Sequence, residues 1–520
     1  MVSKRQDDSS SQTHVTIMAH RYRTLKALYA PEVLVTASAS SVQRGALYVL
    51  DAASPTQTPL VHWKGAAHVA PHGLACVASS THADGDGGMS GLAAAIEAEK
   101  AVLTVYSWQR DQPVARIVLP QKMLCVALAP RGEFVATGTD DGRLYVWDVA
   151  SGALLASFEA HYRAIRVLRF APDGAALASG ADDGRVCVWS VPSLLRRTDL
   201  AGGQAPTAYA TLADHTLPIA DLHWGHGPFP HAAALWTASH DASVKLWDVA
   251  TRRLLSTFAL PAGVSRIAVD PLERFFFASL DGARDAYRVE LYAQDAGAWH
   301  ARGGRGAEGA VENVSPMHTR VTLAEPITAL ALTHAASHLA VGTSTGQVHL
   351  VDVVTLQVVR VLPATASLTA APSTPVTNLL ALPRPPDLLT AAQLGKRSAS
   401  RDTDAASSTY VAPLPMRPVA AQFARTIAPP DATPTVALRI GAGAGLAADE
   451  VLTYLGATPA RHAPEARTAP ESAAPPTSAT APDAGAHARI AQLEDELRRA
   501  QALNDEMWQH LVHTQVGAHR

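Results

Sequence analysis

The chain has 520 residues, 48% of them hydrophobic and 6% aromatic, with 43 Lys and Arg set against 46 Asp and Glu. A net charge of −3 without a long basic run excludes bulk electrostatic capture of nucleic acid, which needs a concentrated positive face; direct RNA contact through a local patch stays open. The three cysteines, Cys76, Cys125 and Cys187, are too few and too far apart for a disulfide framework or a zinc site, and they fit a reducing compartment.

Residues 1–14 (MVSKRQDDSSSQTH) lack the apolar core of a signal peptide and read as a disordered N-terminus. No run of 18 apolar residues occurs, so no membrane partner is expected. VTIMA at 15–19 is the first strand-like run. Further along, LYVWDV (144–149), VCVWSV (186–191) and VKLWDV (244–249) end alike, and each follows an acidic turn: ATGTDDGR, ASGADDGR or TASHDASV. Trp147 and Trp189 are 42 residues apart. A unit of that length ending in a Trp-Asp strand signals an all-β propeller of four-stranded blades.

Aligning the chain on this strand gives seven anchors: Leu50, Tyr106, Trp147, Trp189, Trp247, Val289 and Val351. Seven blades over residues 15–394 follow. Excess spacing comes from HADGDGGMSG (82–91) in the second repeat, LLRRTDLAGGQAPT (194–207) in the fifth and AGAWHARGGRGAEGAVENVS (296–315) in the seventh. Such insertions map to loops at blade edges, where partners often bind. Turns at Pro130-Arg131-Gly132 and Pro172-Asp173-Gly174 separate apolar strands, Pro presetting φ and Gly accepting a positive one.

The best repeats carry a polar set. His161, Ser179, Asp183 and Trp189 form it in the fourth, and His215, Thr237, Asp241 and Trp247 in the fifth. The third has Thr137, Asp141 and Trp147 without a matching His. A Ser-His-Asp set can be a hydrolase triad. Recurrence once per blade beside a Trp instead predicts a buried hydrogen-bond network that pins a tight turn. No catalytic, cofactor or metal residues are expected, because the chain has no phosphate loop, HExxH or metal-spaced Cys/His set. Gly441-Ala-Gly-Ala-Gly445 lacks the Lys-Ser/Thr that a phosphate loop requires.

Residues 395–455 read as a mixed extension able to dock on the propeller, with TVALRIG (435–441) a candidate last strand. Residues 456–486 are rich in Ala, Pro, Thr and Ser and read as a disordered linker. Within 487–513, Ile490, Leu493, Leu497, Ala500, Asn504, Met507 and Leu511 follow 3-4 spacing, one seam of a coiled-coil helix. Three heptads are marginal alone, so a homodimer or a partner helix is expected, with Trp508 as an anchor. Lys4-Arg5 and Lys396-Arg397 are too short for a nuclear-import assignment.

A seven-bladed WD propeller with this tail resembles the WD-repeat subunit of the fungal IPI complex, which processes the internal transcribed spacer of pre-ribosomal RNA, and its animal counterpart. The resemblance rests on AYRVELY (286–292), PVTNLLALPRPPDLL (375–389) and LEDELRRAQALNDEMW (493–508). It implies a non-enzymatic nuclear scaffold, in nucleoplasm or nucleolus. Its implied partners are an α-solenoid subunit and a second helical-repeat subunit, the pre-large-subunit ribosomal particle, and a midasin-type AAA ATPase that the complex helps dock. A role at replication origins is attached to the fungal family. Composition and periodicity alone reach only a propeller scaffold with a helical association tail. They equally admit a ubiquitin-ligase substrate receptor or a chromatin reader.

Overall fold

Runs rich in Val, Leu and aromatic residues become strands, and the Asp-Gly and Pro-x-Gly punctuation between them becomes turns. The computed structural model describes residues 31–39, 47–53, 59–65, 68–78, 89–195, 206–295, 298–304, 309–315, 319–363, 374–388 and 415–427. All of these belong to a unit spanning residues 1–459; a second unit, 460–520, lies outside them.

Blade 1 contains β1 (Glu32–Ser38), β2 (Leu47–Asp51) and β3 (Val61–Trp63). Blade 2 is β4 (Val69–Val77), β5 (Leu92–Glu97), β6 (Val102–Ser107) and β7 (Ala115–Val118). Blade 3 is β8 (Met123–Leu128), β9 (Phe134–Thr139), β10 (Arg143–Asp148) and β11 (Leu154–Glu159). Blade 4 has β12 (Ile165–Phe170), β13 (Ala176–Ala181), β14 (Val186–Ser190), a short helix α1 (Val191–Leu195) and β15 (Ala210–Leu212). Blade 5 is β16 (Ile219–Trp224), β17 (Ala234–Ser239), β18 (Ser243–Asp248) and β19 (Arg253–Ala259). Blade 6 begins with β20 (Val264–Val269), β21 (Phe275–Leu280) and β22 (Asp285–Glu290). A hairpin of β23 (Tyr292–Asp295) and β24 (Ala298–Ala301) and a strand β25 (Ala310–Asn313) intervene before β26 (Arg320–Thr322) completes it. Blade 7 is β27 (Ile327–Leu332), β28 (His338–Thr343), β29 (Gln347–Asp352) and β30 (Val358–Pro363). Last, β31 (Val376–Pro383) returns to blade 1 and pairs antiparallel with β1, Leu34 facing Ala381.

The ring therefore closes by three N-terminal strands and one C-terminal strand sharing a sheet. PVTNLLALP is thus the strand that closes the ring, while VTIMA and TVALRIG lie outside the described residues. All seven anchors fall on the third strand of their sheets, counted from the ring centre. The insertions sit differently from the repeat count. The 194–207 stretch lies inside blade 4, between β14 and β15, and 296–315 lies inside blade 6, between β22 and β26. The reason is an offset, since an anchor-to-anchor repeat begins at the fourth strand of one blade and ends at the third of the next. Within the second insertion β25 runs parallel to β19, giving blade 5 a fifth, outer strand.

The core is a set of seven apolar layers, one at each blade interface. That between blades 4 and 5 includes Val188, Ile219, Leu235 and Trp247, and that between blades 7 and 1 includes Leu34, Leu50, Val348 and Val376. Second strands such as β9, β13, β17 and β21 are buried at every residue because neighbouring blades cover both faces. Close approach selects small residues there: a Cβ on Gly180 would stand 2.7 Å from Ile219 Cγ2 of the next blade. The turn after β9 needs a left-handed residue, met by Gly142 at φ +85°. Blade 5 places Ala242 at the matching site with φ 63°. Ala242→Gly should therefore stabilise the protein by up to about 1 kcal/mol. Relief of a left-handed alanine, about 1–2 kcal/mol, is partly offset by the larger unfolded-state entropy of glycine. Urea denaturation would measure it.

Candidate interaction sites

In blade 4, His161 Nε2 lies 2.8 Å from Ser179 Oγ and Nδ1 lies 3.1 Å from Asp183 Oδ2, while Trp189 Nε1 donates to Ser179 Oγ at 2.9 Å. Blade 5 repeats this with His215, Thr237, Asp241 and Trp247: 2.7 Å from Nε2 to Thr237, 2.8 Å from Nδ1 to Asp241, and 3.0 Å from the indole to Thr237. Both aspartates also accept backbone N–H groups across their turns, Arg185 and Tyr162 in one, Ser243 and Thr216 in the other. The hydroxyls have no exposed surface, so neither can meet a substrate. These sets tie the second and third strands to the loop that enters the blade.

Burial disfavours the His161 imidazolium, but hydrogen bonds to Asp183 and Cys187 and the nearby negative charge outweigh it, raising its pKa to about 9. A raised value means that its stabilisation is fully present below the ordinary pH of about 6.5 and is lost as pH rises through about 9. NMR should show the His161 ring titrating near pH 9; a midpoint at or below 6.5 would contradict this. Asp183 is held below the ordinary carboxylate range, burial being outweighed by His161 and the backbone N–H groups. Its share is present above about 3.8 and fades at more acid pH.

Blade 3 departs from the pattern. Thr137, Asp141 and Trp147 do not bond to one another: Asp141 accepts from Thr139, Gln121 and the Arg143 N–H, and Thr137 Oγ1 is buried with no hydrogen-bond partner among the described residues. Trp147 Nε1 donates instead to Ala424 O at 2.9 Å. Among the described residues no histidine bridges Asp141 to Thr137, and a carbonyl from residues 415–427 captures the indole. That segment is a strap across blades 2 and 3. Pro415 O accepts from Ser90 N, Ala420 N donates to Val149 O, and Ala424 N donates to Gly152 O. Phe423 stacks on Trp147 with ring centroids 5.5 Å apart and joins the layer between blades 2 and 3. No periodicity marks the strap in the sequence; Phe423, a lone aromatic in a Pro- and Ala-rich stretch, is its only visible sign.

The ring centre holds a second unforeseen feature. Within β4, Ala70 to Gly73 stand opposite the single residue Ile96, because Val69 pairs with Glu97 and Leu74 with Ala95. Pro71 and Gly73 inside a strand are the sequence sign of such a bulge. It points into the channel. Asn378 Nδ2 donates to Ala70 O at 2.7 Å, and the His72 ring, at φ 56°, lies 3.0 Å from Ala220 O and 2.7 Å from Arg266 Nη1. Cavities of about 630 and 490 Å³ lie on either side, with His72 and Arg266 lining both. Burial, then Arg266 and Arg169, hold His72 neutral; burial and Arg169 bring His223 down to about 4.

Among the described residues no group of three or more His, Cys, Asp or Glu could hold a metal ion, and no helix is long and apolar enough to cross a membrane. The three cysteines are free. Ile490, Leu493, Leu497, Ala500, Asn504, Met507, Trp508 and Leu511 lie outside the described residues, as do Gly441–Gly445, Lys4-Arg5 and Lys396-Arg397.

The WD domain, G-beta repeat family matches residues 118–148, which take in β8 to β10 of blade 3, and 152–190, which take in β11 of blade 3 and β12 to β14 of blade 4. The pre-rRNA-processing protein IPI3 of Mycosarcoma maydis is 33% identical to the chain over 95% of it and 98% of the relative. The chain belongs to the IPI3 family. Its likeness to the IPI3 protein of Yarrowia lipolytica is 34% identity over 50% of this chain and 59% of that one. WD repeat-containing protein 18 of Bos taurus is 29% identical over 38% of the chain and 46% of its own length. Since the IPI3 match runs through nearly the whole chain, it takes in the ring and the stretches beyond it that repeats alone do not define.

Proposed function

We propose that the chain is a non-enzymatic nuclear scaffold in pre-ribosomal RNA spacer processing and large-subunit maturation. The observation that carries this reading is the match over 95% of the chain to a pre-rRNA-processing protein. The polar sets support it, because their hydroxyls and imidazoles are spent inside the blades and leave the outer surfaces to partners. In this reading the propeller holds α-solenoid and helical-repeat subunits, and the complex helps dock a midasin-type AAA ATPase on the pre-large-subunit particle. The 488–512 seam adds a helix to a partner or to a second copy.

Affinity purification of the full chain with mass spectrometry and RNA sequencing tests this. Large-subunit precursors, spacer-containing RNA and the AAA ATPase should be recovered, and loss of residues 488–512 should deplete partner subunits while the propeller stays folded. Cullin or histone partners in their place would overturn the reading in favour of a ligase receptor or chromatin reader.

A further inference from the structure

The channel cluster is arranged unlike an ordinary ion-pair network. Arg169 and Arg266 both line the larger cavity, and among the described residues the sole carboxylate within 4.0 Å of either is Asp221, 3.6 Å from Arg169. Asp221 is already committed. Its Oδ1 accepts from Leu222 N at 2.9 Å and its Oδ2 from Ile267 N at 3.2 Å, tying β16 to β20. The acids at the cavity rim are engaged as well, Asp270 by Arg274 and Glu273 by the His226 N–H. Arg266 is left with a histidine nitrogen and the carbonyl of Ser265. A guanidinium bonds far more strongly to a planar or tetrahedral oxyanion than to a neutral imidazole. The His72 nitrogen is itself in conflict, because it faces both a donor and an acceptor and can satisfy one of them.

We infer that this cavity is a binding site for a small phosphate-type oxyanion, with Arg169 and Arg266 as its cationic ligands and His72 as the group that Arg266 exchanges for it. The anion would give Arg266 the oxygen acceptor that Asp221, spent on two backbone N–H groups, does not supply, and His72 would then be free to donate to Ala220 O. The β4 bulge makes the site a blind pocket, which suits a small ligand rather than a strand threading the ring. A cavity of about 630 Å³ has room for more than one phosphate group.

Pyrophosphate is the probe, titrated into the full chain by calorimetry, with acetate as the carboxylate comparator. Saturable pyrophosphate binding is expected, weakened at least tenfold in Arg266→Gln and in Arg169→Gln and unchanged in Arg253→Gln, whose side chain lies exposed on β19. Arg266→Lys keeps the charge, so it should fold even where the glutamine variant does not, and should bind more weakly through loss of the bidentate fork. Hydrogen exchange on the unaltered protein gives a readout independent of variants: pyrophosphate should protect Ala70–Leu74 and β20. No saturable binding at about 10 mM pyrophosphate, unchanged exchange in those segments, or equal affinity in a folded Arg266→Gln protein would overturn the site. Acetate binding as tightly would overturn the phosphate class and point to an acidic side chain of a partner.

Discussion

Trp247→Ala is expected to remove about 3–5 kcal/mol of stability, the range for truncating a buried tryptophan. The ring is 5% exposed and fills the layer between blades 4 and 5, so its loss leaves a cavity that rigid neighbouring strands cannot close. Its indole N–H also holds Thr237 Oγ1, the hydroxyl that meets His215. Trp247→Phe keeps most of the volume and deletes the N–H, and should cost about 1 kcal/mol more than its small volume change alone. The urea midpoint reads both. A truncation within about 1 kcal/mol of the parent would contradict the core role. Partner binding below the unfolding transition should be unaltered, since the ring is not on a surface.

Phe423→Ala should act locally. Truncating a buried phenylalanine costs about 3–5 kcal/mol, while the strap's backbone hydrogen bonds contribute about 1 kcal/mol each. The segment makes few such bonds: Pro415 O, Ala420 N, Ala424 N and Ala424 O carry those described. Release of residues 415–427 from blades 2 and 3 is therefore the low-energy response, ahead of unfolding the ring. Exchange of the Ala420 and Ala424 amides should accelerate on the order of 100-fold, the factor that about 3 kcal/mol supplies. Unchanged protection would show that Phe423 does not hold the strap. Trp147 would lose the Phe423 ring and its carbonyl acceptor together while keeping Tyr145 stacked on it, so its emission should shift to the red.

The blade count was legible because each third strand carries an anchor between recognisable turns, even where Trp-Asp has decayed to Val289-Glu290 or Val351-Asp352. The polar sets could be read from spacing, since a His before one strand and Ser or Thr, Asp and Trp within the next two can meet only one way in a blade. Blade 3 shows the limit. Thr137 and Trp147 occupy the same offsets as Ser179 and Trp189, yet a carbonyl 277 residues along the chain takes the indole. Nothing local could signal that contact, because a backbone carbonyl has no sequence signature. The channel plug was half visible in Pro71 and Gly73. Its partners Ala220, Arg266 and Asn378 come from three other blades, so only the closed ring brings them together.

Controlled depletion of the protein in its own cells, with total RNA probed by hybridisation to the internal transcribed spacer, tests the scaffold assignment most directly. Spacer-containing precursors should accumulate severalfold and mature large-subunit RNA should fall, while small-subunit RNA holds steady. A precursor profile unchanged after the protein has gone would contradict a role in pre-ribosomal RNA processing.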